Sequence, residues 1–137
     1  MLVPINGSAV SLAALRLATE VAVLNKGSVL AIYVIEVARH LPIEAEVPEE
    51  ISRSQQIFSE AEAILPGRKS NVEFVLLQAR NAGATIVDEA VNSNTEAILL
   101  GIHDRRRHGE FVLGQTAEFI LKHAPCQVWL CRAPLGS

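Results

Sequence analysis

Runs of apolar residues alternate along this chain with segments in which apolar residues recur every three or four positions. The runs predict β-strands at residues 2–5, 28–37, 72–78, 96–102 and 126–132. The amphipathic segments predict helices at residues 8–26, 49–65, 82–92 and 114–124. Strand 28–37 is apolar almost throughout, which is typical of a strand covered on both faces. Strands and helices therefore follow one another in strict alternation.

Turn residues lie where these elements meet. Asn6-Gly7-Ser8 follows the first strand, and Ser8 is placed to cap the first helix. Gly27 is the predicted C-terminal glycine of that helix. Residues 39–48 contain two prolines and several glutamates and predict a loop.

The alternation of strands and helices predicts an α/β fold, an open five-stranded parallel sheet with right-handed crossovers and helices on both faces. We expect one domain over residues 1–134 and a short tail over 135–137. Ligands of such sheets bind beyond the carboxyl ends of the strands, where the strand order reverses. The Asn6-Gly7-Ser8 turn and the loop over residues 102–114 are therefore predicted neighbours.

Composition narrows the class of protein. The 137 residues are 50% hydrophobic and 20% charged, which is typical of one globular domain with a sizeable core. The formal net charge of −3 argues against a nucleic-acid-binding protein. No apolar run approaches the roughly 18 residues that cross a bilayer, so we expect no membrane insertion of this segment and a cytoplasmic location.

The two cysteines, Cys126 and Cys131, are five positions apart on one predicted strand. Side chains at that spacing point to opposite faces, which excludes a disulfide between them. Burial as apolar residues is favoured over a redox or metal role.

The clearest candidate for chemistry is the segment from Gly101 to Gly114, which contains Arg105-Arg106-Arg107. It leaves a predicted strand and enters a predicted helix at glycine, which is typical of a loop that binds phosphate through backbone N–H groups. The three arginines either neutralise a di- or triphosphate there or form a solvated loop tip, and both interpretations remain open.

Other chemistry is weakly indicated. His40, His103, His108 and His123 are scattered and lack the spacing of metal ligands, so no metal site is expected. Ser8 is explained as a helix cap, and no catalytic triad or positioned general base is evident. We expect no efficient catalysis, and at most a slow nucleotide hydrolysis.

Two separated motifs resemble those of the universal stress protein family. Residues 3–8, Val-Pro-Ile-Asn-Gly-Ser, resemble the family's opening Val-Pro-x-Asp-Gly-Ser. Residues 101–116 resemble its nucleotide motif Gly-x2-Gly-x9-Gly-Ser/Thr, and residues 123–131 resemble the strand that follows it. The resemblance covers essentially the whole chain, and it implies strand order 3-2-1-4-5 and a homodimer.

The resemblance also implies which residues bind ATP or another adenine nucleotide, with Mg. The implied positions of the family's motif are Asn6, Val34, Gly101, Asp104, Gly114 and Gln115. With their neighbours, the predicted site residues are Pro4, Ile5, Asn6, Val34, Gly101, Ile102, His103, Asp104, Arg106, Arg107, Gly114, Gln115 and Thr116.

Three of these positions depart from the family's pattern. Asn6 replaces an aspartate with a side chain that has both a donor and an acceptor. Asp104 adds a Cβ and a carboxylate beside the expected phosphates. Gln115 replaces a hydroxyl residue, and Thr116 lies one position late.

We therefore predict a nucleotide-responsive regulatory module that acts through dimerisation. The last strand, with Val128, Trp129 and Leu130, is the expected dimer edge, and packing of these residues against the last helix is the competing explanation. The alternative function is an interaction domain that binds no nucleotide. The start of the first strand directly after Met1 and the ending Leu135-Gly136-Ser137 favour, within that alternative, the cytoplasmic domain of a larger membrane transporter.

Overall fold

The computed structural model describes residues 1–65, 71–103, 106–107, 110–111 and 113–132. Its elements are, in order, β1 (Leu2–Pro4), α1 (Ala9–Leu24), β2 (Val29–Glu36), α2 (Pro48–Ile64), β3 (Val72–Ala79), α3 (Ala82–Asn92), β4 (Ala97–Ile102), β5 (Arg106–Arg107), β6 (Glu110–Phe111), α4 (Gln115–His123) and β7 (Gln127–Arg132). Each predicted strand and helix is confirmed to within two residues at either end. The predicted domain boundary at residue 134 and the tail lie outside the described residues.

Five of the strands form one parallel sheet in the order β3-β2-β1-β4-β7. With β7 as the fifth strand, the predicted order 3-2-1-4-5 is confirmed. The strand order reverses at β1, which pairs with β2 on one side and with β4 on the other. The carboxyl ends of β1 and β4 are therefore the expected place for a ligand.

The loop between β4 and α4 contains a feature that was not predicted. Within it, β5 and β6 pair antiparallel, with Arg106 opposite Phe111 and Arg107 opposite Glu110. Two-residue strands leave too short a pattern for hydrophobic periodicity to detect. The basic segment thus begins a hairpin.

Helices cover both faces of the sheet, and each face has its own core. The α1 and α2 side buries alternate strand residues such as Val3 and Leu99 against Leu15, Ala18 and Ile57. The α3 and α4 side buries the intervening residues, which include Leu2, Ile32, Ile98, Ile86 and Ile120. Since both faces are covered at the centre of the sheet, β2 is apolar almost throughout, as predicted for 28–37.

The N-terminal cap of α1 is the predicted one, but the C-terminal end of the helix differs from the prediction. Ser8 is the N-cap, and its Oγ accepts a hydrogen bond from Ser11 N at 3.2 Å. At the other end the left-handed residue is Lys26, with φ of 55°, and not Gly27. Gly27 follows the left-handed residue, and its N–H donates to Ala22 O at 2.8 Å, a bond that closes the C-terminal end of α1. A non-glycine residue tolerates this conformation at a modest cost.

Both cysteines are free and half-buried. Cys131 packs against the α1 and α2 side, whereas Cys126 packs against the α3 and α4 side, in line with their predicted opposite orientation. Burial raises the pKa of the Cys131 thiol, so this side chain is held in its neutral form.

Within the described ranges, no helix is both long enough and apolar enough to span a bilayer.

Candidate functional site

A cavity of about 700 Å³ lies at the carboxyl ends of β1 and β4, where the strand order reverses. Its wall consists of the ends of β1 and β4, the part of β2 beside them, the first turns of α1 and α4, and the first two turns of α3. Its volume is in the range of cavities that hold small-molecule ligands. The two segments predicted to be neighbours, Asn6-Gly7-Ser8 and the end of the 102–114 loop, therefore lie at one cavity.

One part of the wall is apolar and can accommodate a flat ring system. The strands contribute Pro4, Ile32 and Leu100, and α3 contributes Ala82 and Ile86. These side chains belong to the α3 and α4 side of the sheet or lie beside it. A heterocycle placed against them would be shielded from water.

Val34 offers its backbone to the same part of the cavity. The pairing of β1 with β2 ends with Pro4 opposite Ile32 and a bond of 2.8 Å from Ile5 N to Ile32 O. In a parallel ladder the residues that point their N–H and C=O groups toward one neighbour alternate along the strand. The next residue of β2 directed to that side is Val34, which lies beyond the end of β1 and lines the cavity. The backbone N–H donor and C=O acceptor of Val34 are thus both directed to the cavity.

Asn6 is held in a defined orientation by its own turn. Its Oδ1 accepts a hydrogen bond from Ser8 N at 3.0 Å, and its backbone N donates to Ser11 Oγ at 3.3 Å. Because Ser8 N–H requires an acceptor, the amide oxygen must face Ser8. Among the described residues the Asn6 Nδ2 has no partner, and it is the side-chain donor that remains for a ligand.

The first turn of α4 forms another part of the wall. Its N-cap is Gly114, so the N–H groups of Gln115, Thr116 and Ala117 are capped by no side chain of the described chain. All of these residues line the cavity. Free N–H groups and the positive end of a helix dipole favour an anion.

Gly101 has a structural reason to be glycine. A Cβ at this position would lie 2.6 Å from Val10 O, 2.7 Å from Val10 C and 2.8 Å from Ser11 N. All three atoms belong to the backbone of the first turn of α1, which cannot move aside as a side chain can. Close approach of β4 and α1 thus accounts for Gly101, whether or not it also contacts a ligand.

Two titratable side chains occur among the described lining residues, His103 and Glu118. Glu118 Oε1 lies 3.0 Å from Lys122 Nζ one turn along α4, and both side chains are more than half exposed. The pair is therefore solvated and contributes little to stability. Within the described ranges, no group of three or more His, Cys, Asp or Glu side chains is arranged to hold a metal ion.

Most of the predicted site residues lie around this one cavity. They are Pro4, Ile5, Asn6, Val34, Gly101, Ile102, His103, Gly114, Gln115 and Thr116. Asp104 and Arg105 lie outside the described residues, and of Arg106 and Arg107 only the backbone in β5 is described. Ligand binding by any of them stays a prediction.

Several lining residues were not predicted. They are Ser11, Ile32, Ala82, Ile86, Leu100, Leu113, Ala117 and Glu118. Most of them have the residue types of ordinary core positions, and only the folded chain distinguishes a core residue at a cavity wall. Ser11 and Glu118 are the polar exceptions, and the sequence carries no signal that distinguishes either of them from an ordinary surface residue of a helix.

Comparison with known proteins gives a consistent result. The model of the universal stress protein family matches residues 1–132. A universal stress protein from Archaeoglobus fulgidus is 23% identical, with 95% of this chain and 96% of that chain covered and a TM-score of 0.78. No curated protein matches the chain significantly.

Two further similar structures contain a nucleotide. The Archaeoglobus fulgidus protein in complex with dAMP is 21% identical, covering 95% of this chain and 94% of that chain, with a TM-score of 0.73. A family protein from Arabidopsis thaliana with AMP bound is 16% identical, covering 98% and 91%, with a TM-score of 0.59. These likenesses concern the fold, whereas the family model matches nearly the entire sequence. The chain belongs to the universal stress protein family.

Proposed function

We propose that this protein is a nucleotide-binding regulatory module that takes an adenine nucleotide in the cavity at the ends of β1 and β4. The observation that carries the proposal is the open first turn of α4, which lines the same cavity as the apolar side chains of β1, β4 and α3. An apolar ring at one end and an anion at the other is the chemistry of a nucleotide. Similar proteins that bind dAMP and AMP support this choice of ligand.

In this proposal the base lies against Pro4, Ile32 and Ala82, and its edge meets the backbone N–H and C=O of Val34. Asn6 Nδ2 donates to a ring nitrogen or a ribose oxygen. The phosphates lie toward Gly101 and the N–H groups of Gln115 and Thr116. If the ligand is ATP, its Mg²⁺ would arrive bound to the phosphates.

The proposed role is binding and signalling without turnover. The titratable groups among the described lining residues are His103 and the exposed Glu118, which is paired with Lys122. Neither is part of a nucleophile–base pair of the kind that acyl or phosphoryl transfer requires. A phosphate-release assay with ATP is expected to show no more than slow hydrolysis.

The test begins with freshly purified protein, denatured to release any bound small molecule for chromatography and mass spectrometry. We expect an adenine nucleotide, or else a thermal shift with Mg-ATP, AMP or dAMP at millimolar concentration. Absence of both would contradict the proposal and favour the alternative, an interaction domain that does not bind nucleotides.

The arginine segment is tested separately. Replacing both Arg106 and Arg107 by alanine is expected to weaken phosphate binding by about 1 kcal/mol or more, because charge-assisted contacts are lost. The matched control replaces Arg16 and Arg53, on α1 and α2, by alanine and removes the same charge elsewhere. Equal losses in the two double variants would assign the effect to net charge.

We further propose that the module dimerises through β7, the edge strand beside β4. Val128 packs on the α3 and α4 side, but Trp129 is 36% and Leu130 40% exposed. Trp129 Nε1 donates to Gln127 Oε1 at 3.0 Å on the same strand. An edge with exposed apolar side chains is suited to pairing with a second chain.

Sedimentation velocity from micromolar to high micromolar protein tests the dimer. Leu130→Lys is expected to shift the protein toward monomer, because a lysine on an edge strand opposes pairing. Leu24→Lys, at a residue of α1 that is 83% exposed, is the matched control and should not change the assembly. A wild-type protein that remains monomeric at high micromolar concentration would exclude this dimer.

A further inference from the structure

Ser11 is a polar residue of the cavity wall that neither the family motif nor the sequence pattern singled out. It lies in the first turn of α1 and is 3% exposed, yet it lines the cavity. Helix positions this deeply buried usually carry apolar side chains. The hydroxyl therefore needs an explanation beyond packing.

The hydroxyl of Ser11 takes part in two hydrogen bonds, one to the N-cap residue of α1 and one to the turn that follows β1. Its Oγ donates to Ser8 O at 2.9 Å and accepts from Asn6 N at 3.3 Å. The Ser11 N–H in turn donates to Ser8 Oγ at 3.2 Å. In the turn over residues 6–8, Ser8 is thus also held by backbone N–H groups of α1, whereas Asn6 is held from the helix side by the Ser11 hydroxyl.

The backbone of the same turn also fixes the end of β4. Val10 and Ser11 approach Gly101 so closely that a Cβ there would lie within 2.8 Å of three of their backbone atoms. One turn of α1 therefore contacts both strand ends that form the ligand cavity. Only its contact with Asn6 depends on a side chain.

We propose that Ser11 is a positioning residue for nucleoside binding, because its hydroxyl holds the Asn6 backbone in place. The inference rests on the proposed function. Ser11 acts on the part of the site where the base and ribose lie, and α4 acts on the part where the phosphates lie. Removal of the hydroxyl should therefore weaken adenosine and AMP by the same factor.

Thr19 provides a matched control on the same helix. It is 1% exposed, and its Oγ1 donates to Leu15 O at 2.8 Å, so it resembles Ser11 in burial and in its bond to a preceding carbonyl. Thr19 does not line the cavity. Ser11→Ala and Thr19→Val each remove one buried hydroxyl and retain the helix.

The experiment measures dissociation constants of adenosine and AMP by calorimetry, with melting temperatures in parallel. For Ser11→Ala we expect both affinities to fall about fivefold or more, since the part-buried Asn6 N–H loses its acceptor. Thr19→Val should lower the melting temperature and leave both affinities within twofold. An unchanged affinity in Ser11→Ala, or a loss confined to AMP, would overturn the proposal.

Amide hydrogen exchange separates this proposal from the proposed function. Without ligand, the Asn6 amide of Ser11→Ala should exchange at least tenfold faster than in the wild type. An unchanged rate overturns the role of Ser11 even if nucleotide binds, and a faster rate without any nucleotide binding contradicts the proposed function alone. If Ser11→Ala does not fold, Ser11→Cys is used, and wild-type behaviour of that variant in both measurements counts against the proposal.

Discussion

The helices α3 and α4 begin side by side at the same cavity, but their first turns are completed in different ways. At α3 the N-cap Asn81 accepts from Ala84 N at 3.0 Å, and Glu36 Oε1 accepts from Ala82 N at 3.3 Å. At α4 the N-cap is Gly114, and no side chain of the described chain takes this place. The two helices pack against each other, with Gly83 of α3 facing Phe119 of α4.

The side-chain cap of α3 stabilises the helix, whereas the N-terminus of α4 has no such cap and its N–H groups can bind a ligand. With glycine as its N-cap, α4 forgoes about a few tenths of a kcal/mol that a side-chain cap would contribute. Its free N–H groups are the groups that can bind an anion. The same helix dipole thus serves the fold at α3 and, in our proposal, a phosphate at α4.

The largest expected effect comes from closing the open helix end with Gly114→Asp. Gly114 has φ of −69° and ψ of 160°, which any L-residue adopts, so the aspartate causes no backbone strain. Its carboxylate would cap α4 and raise the free energy of unfolding by about 0.5–1 kcal/mol. Affinity for AMP, measured by calorimetry, should fall more than about tenfold, since the carboxylate occupies the N–H groups and repels phosphate.

Two control variants separate the contributions to that loss. Gly114→Asn caps without charge and should lose less affinity for AMP than the aspartate. Gly114→Ala adds only a methyl group and should change adenosine and AMP binding equally if at all. Unchanged AMP affinity in Gly114→Asp would mean that the α4 N-terminus does not bind phosphate.

Opening the closed helix end is the converse experiment. Asn81→Ala removes the α3 cap and should cost about 1 kcal/mol of stability, or a melting temperature lower by roughly 3–5 °C. Affinity for AMP should stay within twofold, because α3 faces the base in our proposal and not the phosphates. Asn81→Ser retains a cap and should remain near wild-type stability. If Asn81→Ala instead loses AMP affinity with little change in melting temperature, the N-terminus of α3 contributes to AMP binding as that of α4 does, and the proposed distinction between the two helices is wrong.

Local features of the fold were predicted from the sequence more completely than features that depend on distant parts of the chain. The helix 82–92 was predicted with the bounds that the structure has, because its apolar stripe is a local signal. Strand order came from the family resemblance, since β1 pairs with strands distant in sequence. A cavity was predicted at the carboxyl ends of the strands, where the structure has one, because the alternation of strands and helices already implies that place.

What could not be predicted depends on contacts between elements. Ser11 has the appearance of a surface polar residue in α1, and its burial results from packing against β1 and β4. Gly101 was assigned to a phosphate loop, whereas its contact with the Val10 backbone is visible only in the folded chain. Lys26 has the left-handed backbone conformation that was expected of Gly27. Residue propensities do not locate the end of a helix to a single residue.

The smallest effect concerns the charge of the open helix end. Glu118 lines the cavity in the first turn of α4 and is paired with Lys122 at 3.0 Å. Glu118→Gln should therefore strengthen AMP binding about twofold to threefold, because a negative charge is removed near the phosphate and Lys122 is released. The gain should be absent for adenosine and should fade in 0.5 M salt, where charges a few ångströms apart are screened. If Glu118→Gln instead binds AMP more weakly, the carboxylate contributes to AMP binding. That result would contradict the proposed position of the phosphate at the N-terminus of α4.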